Sequence, residues 1–149
     1  MLLISLHAYD IAVDLKLEQS GVLYVCHGGA MSVMCSTNAS LLQWNITLLH
    51  NDPLLNQRIF TRDLSYVGTA VMADPISIAF TTLNVSRSLN NSSTLPLVSM
   101  ISTDNATADL NGTIITCLAP GTLASNSTSV EIFLVGNTDN IDSEIRTLL

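Results

Sequence analysis

The sequence predicts an all-β protein built as an antiparallel two-sheet sandwich. Three observations predict it. Short runs alternate with a period of two, among them Met31-Ser32-Val33-Met34-Cys35, Leu42-Gln43-Trp44-Asn45-Ile46-Thr47-Leu48 and Thr113-Ile114-Ile115-Thr116-Cys117. Turn-forming groups punctuate such runs: Asn51-Asp52-Pro53, Asn111-Gly112 and Ala119-Pro120-Gly121. Charged residues make up 11% of the chain, against a usual figure of about 25%, while Ser and Thr total 32 of 149 residues. A polar but uncharged surface suits a β-rich extracellular protein better than a helical cytosolic one.

Taken in order, Ile11 to Glu18 alternates without fault and predicts a strand with one wet face. Gln19-Ser20-Gly21 breaks it, and Val22 to Cys26 predicts a second strand. His27-Gly28-Gly29 is a turn. Strands over Met31–Ser36 and Leu41–Leu49 follow, joined by Thr37-Asn38-Ala39-Ser40. Short strands are expected near Ile59–Arg62 and Tyr66–Met72. After Pro75, the alternation of Ile76, Ile78 and Phe80 with Ser77, Ala79 and Thr81 predicts a half-buried strand. Ser86 to Ser93 is too polar for a strand and is expected as a loop. Strands over Thr94–Ser102, Thr113–Leu118 and Ser127–Val135 complete the set, with a loop from Asp104 to Gly112. No helix is expected beyond a short turn near Asp139–Leu149, and the polar tail from Gly136 is expected to fray.

One domain with a real core fits 149 residues, of which 48% are apolar. The net charge is −7, and the fixed cations Lys16, Arg58, Arg62, Arg87 and Arg146 are scattered. No basic stripe exists to hold phosphates, which argues against nucleic acid as a partner. No apolar stretch reaches the roughly 18 residues that span a bilayer as a helix. The start, Met1-Leu2-Leu3-Ile4-Ser5-Leu6-His7-Ala8, resembles a shortened signal peptide, but it lacks a basic leader and Asp10 follows at once. The chain therefore reads as a piece of a longer product, or one with a misassigned first exon.

The segment from about Val22 to Val135 resembles an immunoglobulin-like domain of the variable type. Such domains carry a cysteine on one strand, a tryptophan on the next, and a second cysteine on a later strand of the facing sheet. Cys35, Trp44 and Cys117 match them, and Gly28-Gly29 stand where a glycine precedes the first cysteine strand. The resemblance implies a Cys35–Cys117 disulfide closing a loop of about 82 residues, worth roughly 4–5 kcal/mol by loop entropy. It also implies an indole packed on the bridge. The domain plan is an N-terminal segment 1–21 (a signal remnant, then a strand), the immunoglobulin-like domain 22–135, and a polar tail 136–149. The chain departs from the family before Cys117, where Asn111-Gly112-Thr113-Ile114-Ile115-Thr116 lacks the usual acid and has Ile115 in place of the corner tyrosine. Cys35 to Trp44 is also tighter than usual. These features, with Cys26-X-X-Gly, resemble divergent immunoglobulin-like domains of invertebrate surface proteins rather than antibody or T-cell receptor domains.

Asn-X-Ser/Thr triplets begin at Asn38, Asn45, Asn84, Asn90, Asn91, Asn105, Asn111 and Asn126, eight of twelve asparagines. Composition alone gives roughly 2.6 such triplets by chance. The excess predicts a glycoprotein of the secretory pathway, extracellular by secretion or as an ectodomain. Cys26 is left over, to pair outside this chain segment, pair between chains, or remain a free thiol.

Chemistry has little support. His27-Gly28-Gly29-Ala30 is similar to an esterase oxyanion loop, but no Gly-X-Ser-X-Gly elbow accompanies it. His7, His27 and His50 share no metal spacing, and Asp139 to Glu144 lacks the glycine of a calcium loop. No catalytic residue, cofactor or metal ligand is assigned. Trp44 alternates with Leu42, Ile46 and Leu48 and is expected in the core. Met34, Ile114 and Phe133 fall on outward faces, either as a covered sheet face or as a partner-binding patch. The expected function is a non-catalytic recognition or adhesion module that binds another extracellular protein, with Ile114 and Phe133 on the surface. A spacer domain of a larger ectodomain and a fragment of a secreted enzyme are the alternatives.

Overall fold

A computed structural model of the protein describes residues 13–48, 58–65, 72–78, 80–120 and 126–136. Two facing five-stranded sheets hold the ten strands of these segments. In chain order the strands are β1 (Leu15–Leu17), β2 (Gly21–Cys26), β3 (Met31–Thr37), β4 (Leu41–Leu48), β5 (Arg58–Ser65), β6 (Met72–Ile78), β7 (Thr81–Leu89), β8 (Leu97–Thr103), β9 (Ile114–Leu118) and β10 (Ser127–Val135). One sheet runs β1-β3-β8-β7-β6 and the other β2-β10-β9-β4-β5. The all-β two-sheet sandwich predicted from the alternation is the fold.

Period-two burial is why these segments are strands. In β3, β4 and β8 every second residue is buried, and the buried rows face each other to make one core. Val33, Leu42, Trp44, Ile46, Leu83, Val85, Ile101, Ile115 and Ile132 are fully buried there. Each such side chain contributes about 1.5–3 kcal/mol of transfer free energy, so the apolar core outweighs any single cross-link. The Cys35–Cys117 disulfide ties β3 of one sheet to β9 of the other, with the Cα atoms 6.5 Å apart. Trp44 on β4 stands directly opposite Cys117 on β9, both inward and fully buried. The predicted pairing and core indole are both present.

Several elements differ from the sequence reading. β2 runs parallel to β10, so the second sheet is mixed rather than purely antiparallel. The chain passes from one sheet to the other around Gly21, whose φ of +99° favours glycine. β1 covers only Leu15–Leu17 of the predicted Ile11–Glu18. Asp14 is committed elsewhere: its N–H donates to Asn38 Oδ1 (2.9 Å) and its carbonyl accepts the Thr37 hydroxyl (2.8 Å). Ile11 and Ala12 lie outside the described residues.

The largest departure is at residues 76–89. The predicted strand through Thr81 ends at Ile78, and Ile78 pairs with Thr81 across a tight reversal. Phe80 is 86% exposed there instead of continuing the buried row. The predicted loop from Ser86 is strand as far as Leu89, because β7 alternates Thr81, Leu83, Val85 and Arg87 inward. Polar residues at both ends of that inward row hide its period. Pro75 sits at a bulge in β6, an edge strand where a missing N–H is tolerated. The predicted loop 104–112 contains a 3-10 turn, Ala108–Leu110, that buries Leu110. Tyr66–Val71, the turn near Asp139–Leu149 and the tail beyond Gly136 lie outside the described residues, as does residues 1–12.

Candidate functional site

The strands carrying Trp44, Cys117 and the last alternating run, β4, β9 and β10, are adjacent in one sheet, with β2 and β5 at its edges. Its inner face is core. Its outer face carries Val22 and Tyr24 from β2, Glu131, Phe133 and Val135 from β10, Ile114 and Thr116 from β9, Gln43, Asn45 and Thr47 from β4, and Ile59, Thr61 and Asp63 from β5.

Apolar residues cluster on one half of this face. Tyr24 and Phe133 are register partners, and their rings stack with centroids 6.0 Å apart. Tyr24 is 68% exposed, Val22 49% and Val135 38%, while Phe133 is half-buried beneath its neighbours. Ile114 pairs with Glu131, which makes it a diagonal neighbour of Phe133 on the same face. The two predicted surface residues are thus brought together, both half-buried. Met34 is not with them: it lies on the outer face of the opposite sheet, paired with Met100.

Sequence reasoning missed Val22, Tyr24 and Val135. The run Val22-Leu23-Tyr24-Val25-Cys26 is apolar at every position, so alternation cannot tell its wet face from its dry one. In the fold Val25 is buried and Leu23 packs on the core, which turns Val22, Tyr24 and Cys26 outward. β2 is also an edge strand. Cys26 is unpaired and exposed at its end.

The outer face carries two acids, Glu131 and Asp63, and among its described side chains no cation. Arg62 faces the other way and donates to the carbonyls of Asp74 (3.2 Å) and Pro75 (3.3 Å), clasping the two sheets at one edge. Gln43 Nε2 donates to Asp63 (2.7 Å), and Thr61 donates to Asn45 Oδ1 (3.0 Å).

The eight glycosylation triplets distribute unevenly. Asn38, Asn90, Asn91 and Asn126 lie at the end of the sandwich holding the β3–β4, β7–β8 and β9–β10 connections. Asn105 and Asn111 lie at the opposite end. Asn84 projects from the outer face of β7, and Asn45 from that of β4. Asn45 shares a row with Thr116 and Ser129. Phe133 is two strands across and four residues along, roughly 17 Å away by ideal sheet spacings. No triplet asparagine is among the outward residues of β2 and β10, but Asn111 borders β10, its Oδ1 accepting the Leu134 N–H at 3.0 Å.

The glycine turn has a structural role. Gly28 N–H donates to Ala106 O (2.7 Å) and Gly29 N–H to Cys26 O (2.8 Å), so neither amide is left to hold an oxyanion. A Cβ on Gly29 would stand 2.9 Å from the Cys26 carbonyl oxygen. Among the described residues no group of His, Cys, Asp and Glu is placed to hold a metal ion, and no helix is long and apolar enough to cross a membrane.

These features define a β-sandwich closed by a buried inter-sheet disulfide, with an exposed aromatic patch on one sheet. A buried bridge of this kind suits an oxidising, extracellular-type environment. The chain matches no protein-family model and no curated protein.

Proposed function

We propose that this chain is an extracellular immunoglobulin-like recognition module, non-catalytic and glycosylated, that binds another extracellular protein through the β2–β10 half of its outer sheet. The observation that carries this reading is the exposed Tyr24–Phe133 pair, flanked by Val22 on the edge strand β2 and Val135 on β10, with no triplet asparagine among the outward residues of β2 and β10. Aromatic side chains that are large and exposed favour contact with a partner, where they act as anchors. Glu131 beside the patch, and the lack of a described cation on the face, suit a partner with an apolar centre and a basic rim. The strand order and the Cys35, Trp44 and Cys117 placement support the immunoglobulin-like assignment. The eight triplets and the oxidised bridge support the compartment.

The test is binding of the secreted, glycosylated chain to a panel of cells, compared between wild type and Tyr24→Ser/Phe133→Ser. Loss of binding with unchanged thermal unfolding supports the patch. Binding retained by the double variant but lost on altering the β3–β4 or β9–β10 connections moves the contact to the loop end. Absence of any binding leaves the spacer role.

A further inference from the structure

Thr113 is the third residue of the triplet Asn111-Gly112-Thr113 and points into the core at the mouth of β9. It is 1% exposed, and its Oγ1 is buried without a hydrogen-bond partner. A buried hydroxyl without a partner is destabilising, and valine would fill the same space without that cost. The other seven triplets end in Ser40, Thr47, Ser86, Ser92, Ser93, Thr107 and Thr128, all exposed or half-buried. Thr113 alone carries its hydroxyl into a site where the fold makes no use of it.

Asn111 has the complementary geometry. It is exposed, and its Oδ1 accepts the Leu134 N–H at 3.0 Å. Its own N–H donates to Ala108 O (3.1 Å), and Gly112, at φ +76°, donates to Ile132 O (2.8 Å). The amide is therefore fixed by its oxygen, and a substituent on Nδ2 leaves every one of these bonds intact. Asn126 differs, since its Nδ2 donates to the Val13 carbonyl and a sugar there competes with that bond.

We infer that Asn111 is an occupied N-glycosylation site, and that the Thr113 hydroxyl serves sugar transfer to the unfolded chain rather than the fold. The inference rests on the extracellular reading above. In the transfer, Nδ2 bonds to C1 of an oligosaccharide carried on a lipid diphosphate. The C1–O bond to the diphosphate breaks, the lipid diphosphate leaves with the bonding pair, and the amide gives up one proton. Because Leu134 adjoins Phe133, a glycan on Asn111 borders the aromatic patch at its loop end.

The full chain is expressed through a eukaryotic secretory pathway as wild type, Thr113→Val, Thr113→Ser and Asn111→Gln. Glycopeptide mass spectrometry gives occupancy at each triplet, and thermal unfolding is measured after enzymatic removal of the sugars. Expected are a glycan at Asn111 in wild type and in Thr113→Ser, none in Thr113→Val, and an unfolding temperature of deglycosylated Thr113→Val no lower than wild type. A bare Asn111 in wild type beside an occupied Asn38 or Asn90 overturns the inference alone. A melting point several degrees lower for deglycosylated Thr113→Val also overturns it. Should Thr113→Val fail to be secreted, the glycan mass lost by Asn111→Gln decides the matter. Eight bare triplets overturn the inference and the extracellular reading together.

Discussion

The indole N–H of Trp44 donates to the hydroxyl of Ser99 at 2.7 Å, a bond that crosses from one sheet of the sandwich to the other. The Ser99 hydroxyl in turn donates to the Ser86 carbonyl, also at 2.7 Å. Both side chains are buried, so the chain Trp44–Ser99–Ser86 satisfies the one polar atom of the largest core residue without water. The disulfide and this relay both join the sheets, one covalently and one by fixing the ring.

Ser99→Ala is expected to destabilise the domain by about 1–3 kcal/mol, because the indole N–H is left buried and unpaired. Denaturant unfolding measures this. In a Trp44→Phe background the same change is expected to cost less, since no donor remains to be orphaned. Equal costs in both backgrounds would show that Ser99 acts through Ser86 alone.

Cys35→Ala is expected to cost roughly 2–5 kcal/mol and to reduce secretion. Peptide mapping under non-reducing conditions should recover a fragment linking Cys35 to Cys117 as the main species. A dominant bridge from Cys26 to either of them would contradict the fold described here.

Gly29→Ala is expected to destabilise by about 1–3 kcal/mol, an overpacking penalty. The added methyl meets the Cys26 carbonyl oxygen at 2.9 Å, and backbone cannot swing aside as a long side chain would. Thermal unfolding checks it, and a neutral result would mean the His27–Gly29 turn relaxes freely.

Asn45→Gln tests the position of the patch. Any sugar on Asn45 stands over the β4 side of the face, two strands from Phe133. Removing it is expected to leave partner binding within about twofold of wild type, whereas Tyr24→Ser should weaken binding tenfold or more, about 1.4 kcal/mol. Binding that rises strongly on Asn45→Gln would place the contact over β4 and β9 instead.

Local alternation made much of this protein legible from its sequence. β3, β4, β9 and β10 follow from period-two runs bounded by turn residues, because a strand with one buried face writes that period directly into the chain. β7 was illegible, since Thr81 and Arg87 occupy inward positions where only burial by distant strands makes a polar residue count as core. The parallel pairing of β2 with β10 was hidden for a related reason: no local signal records which strand lies alongside an edge.

The sequence by itself determined the fold class and the positions of the eight Asn-X-Ser/Thr triplets, and its resemblance to a known family pointed to Cys35 and Cys117 as the bridge. Only the tertiary structure decided which side of the uniformly apolar β2 faces water, and so created the Tyr24–Phe133 patch. It alone left the Thr113 hydroxyl buried without a partner. Strand formation is a property of neighbours in sequence, whereas exposure and hydrogen-bond satisfaction belong to residues that meet only when distant strands pack.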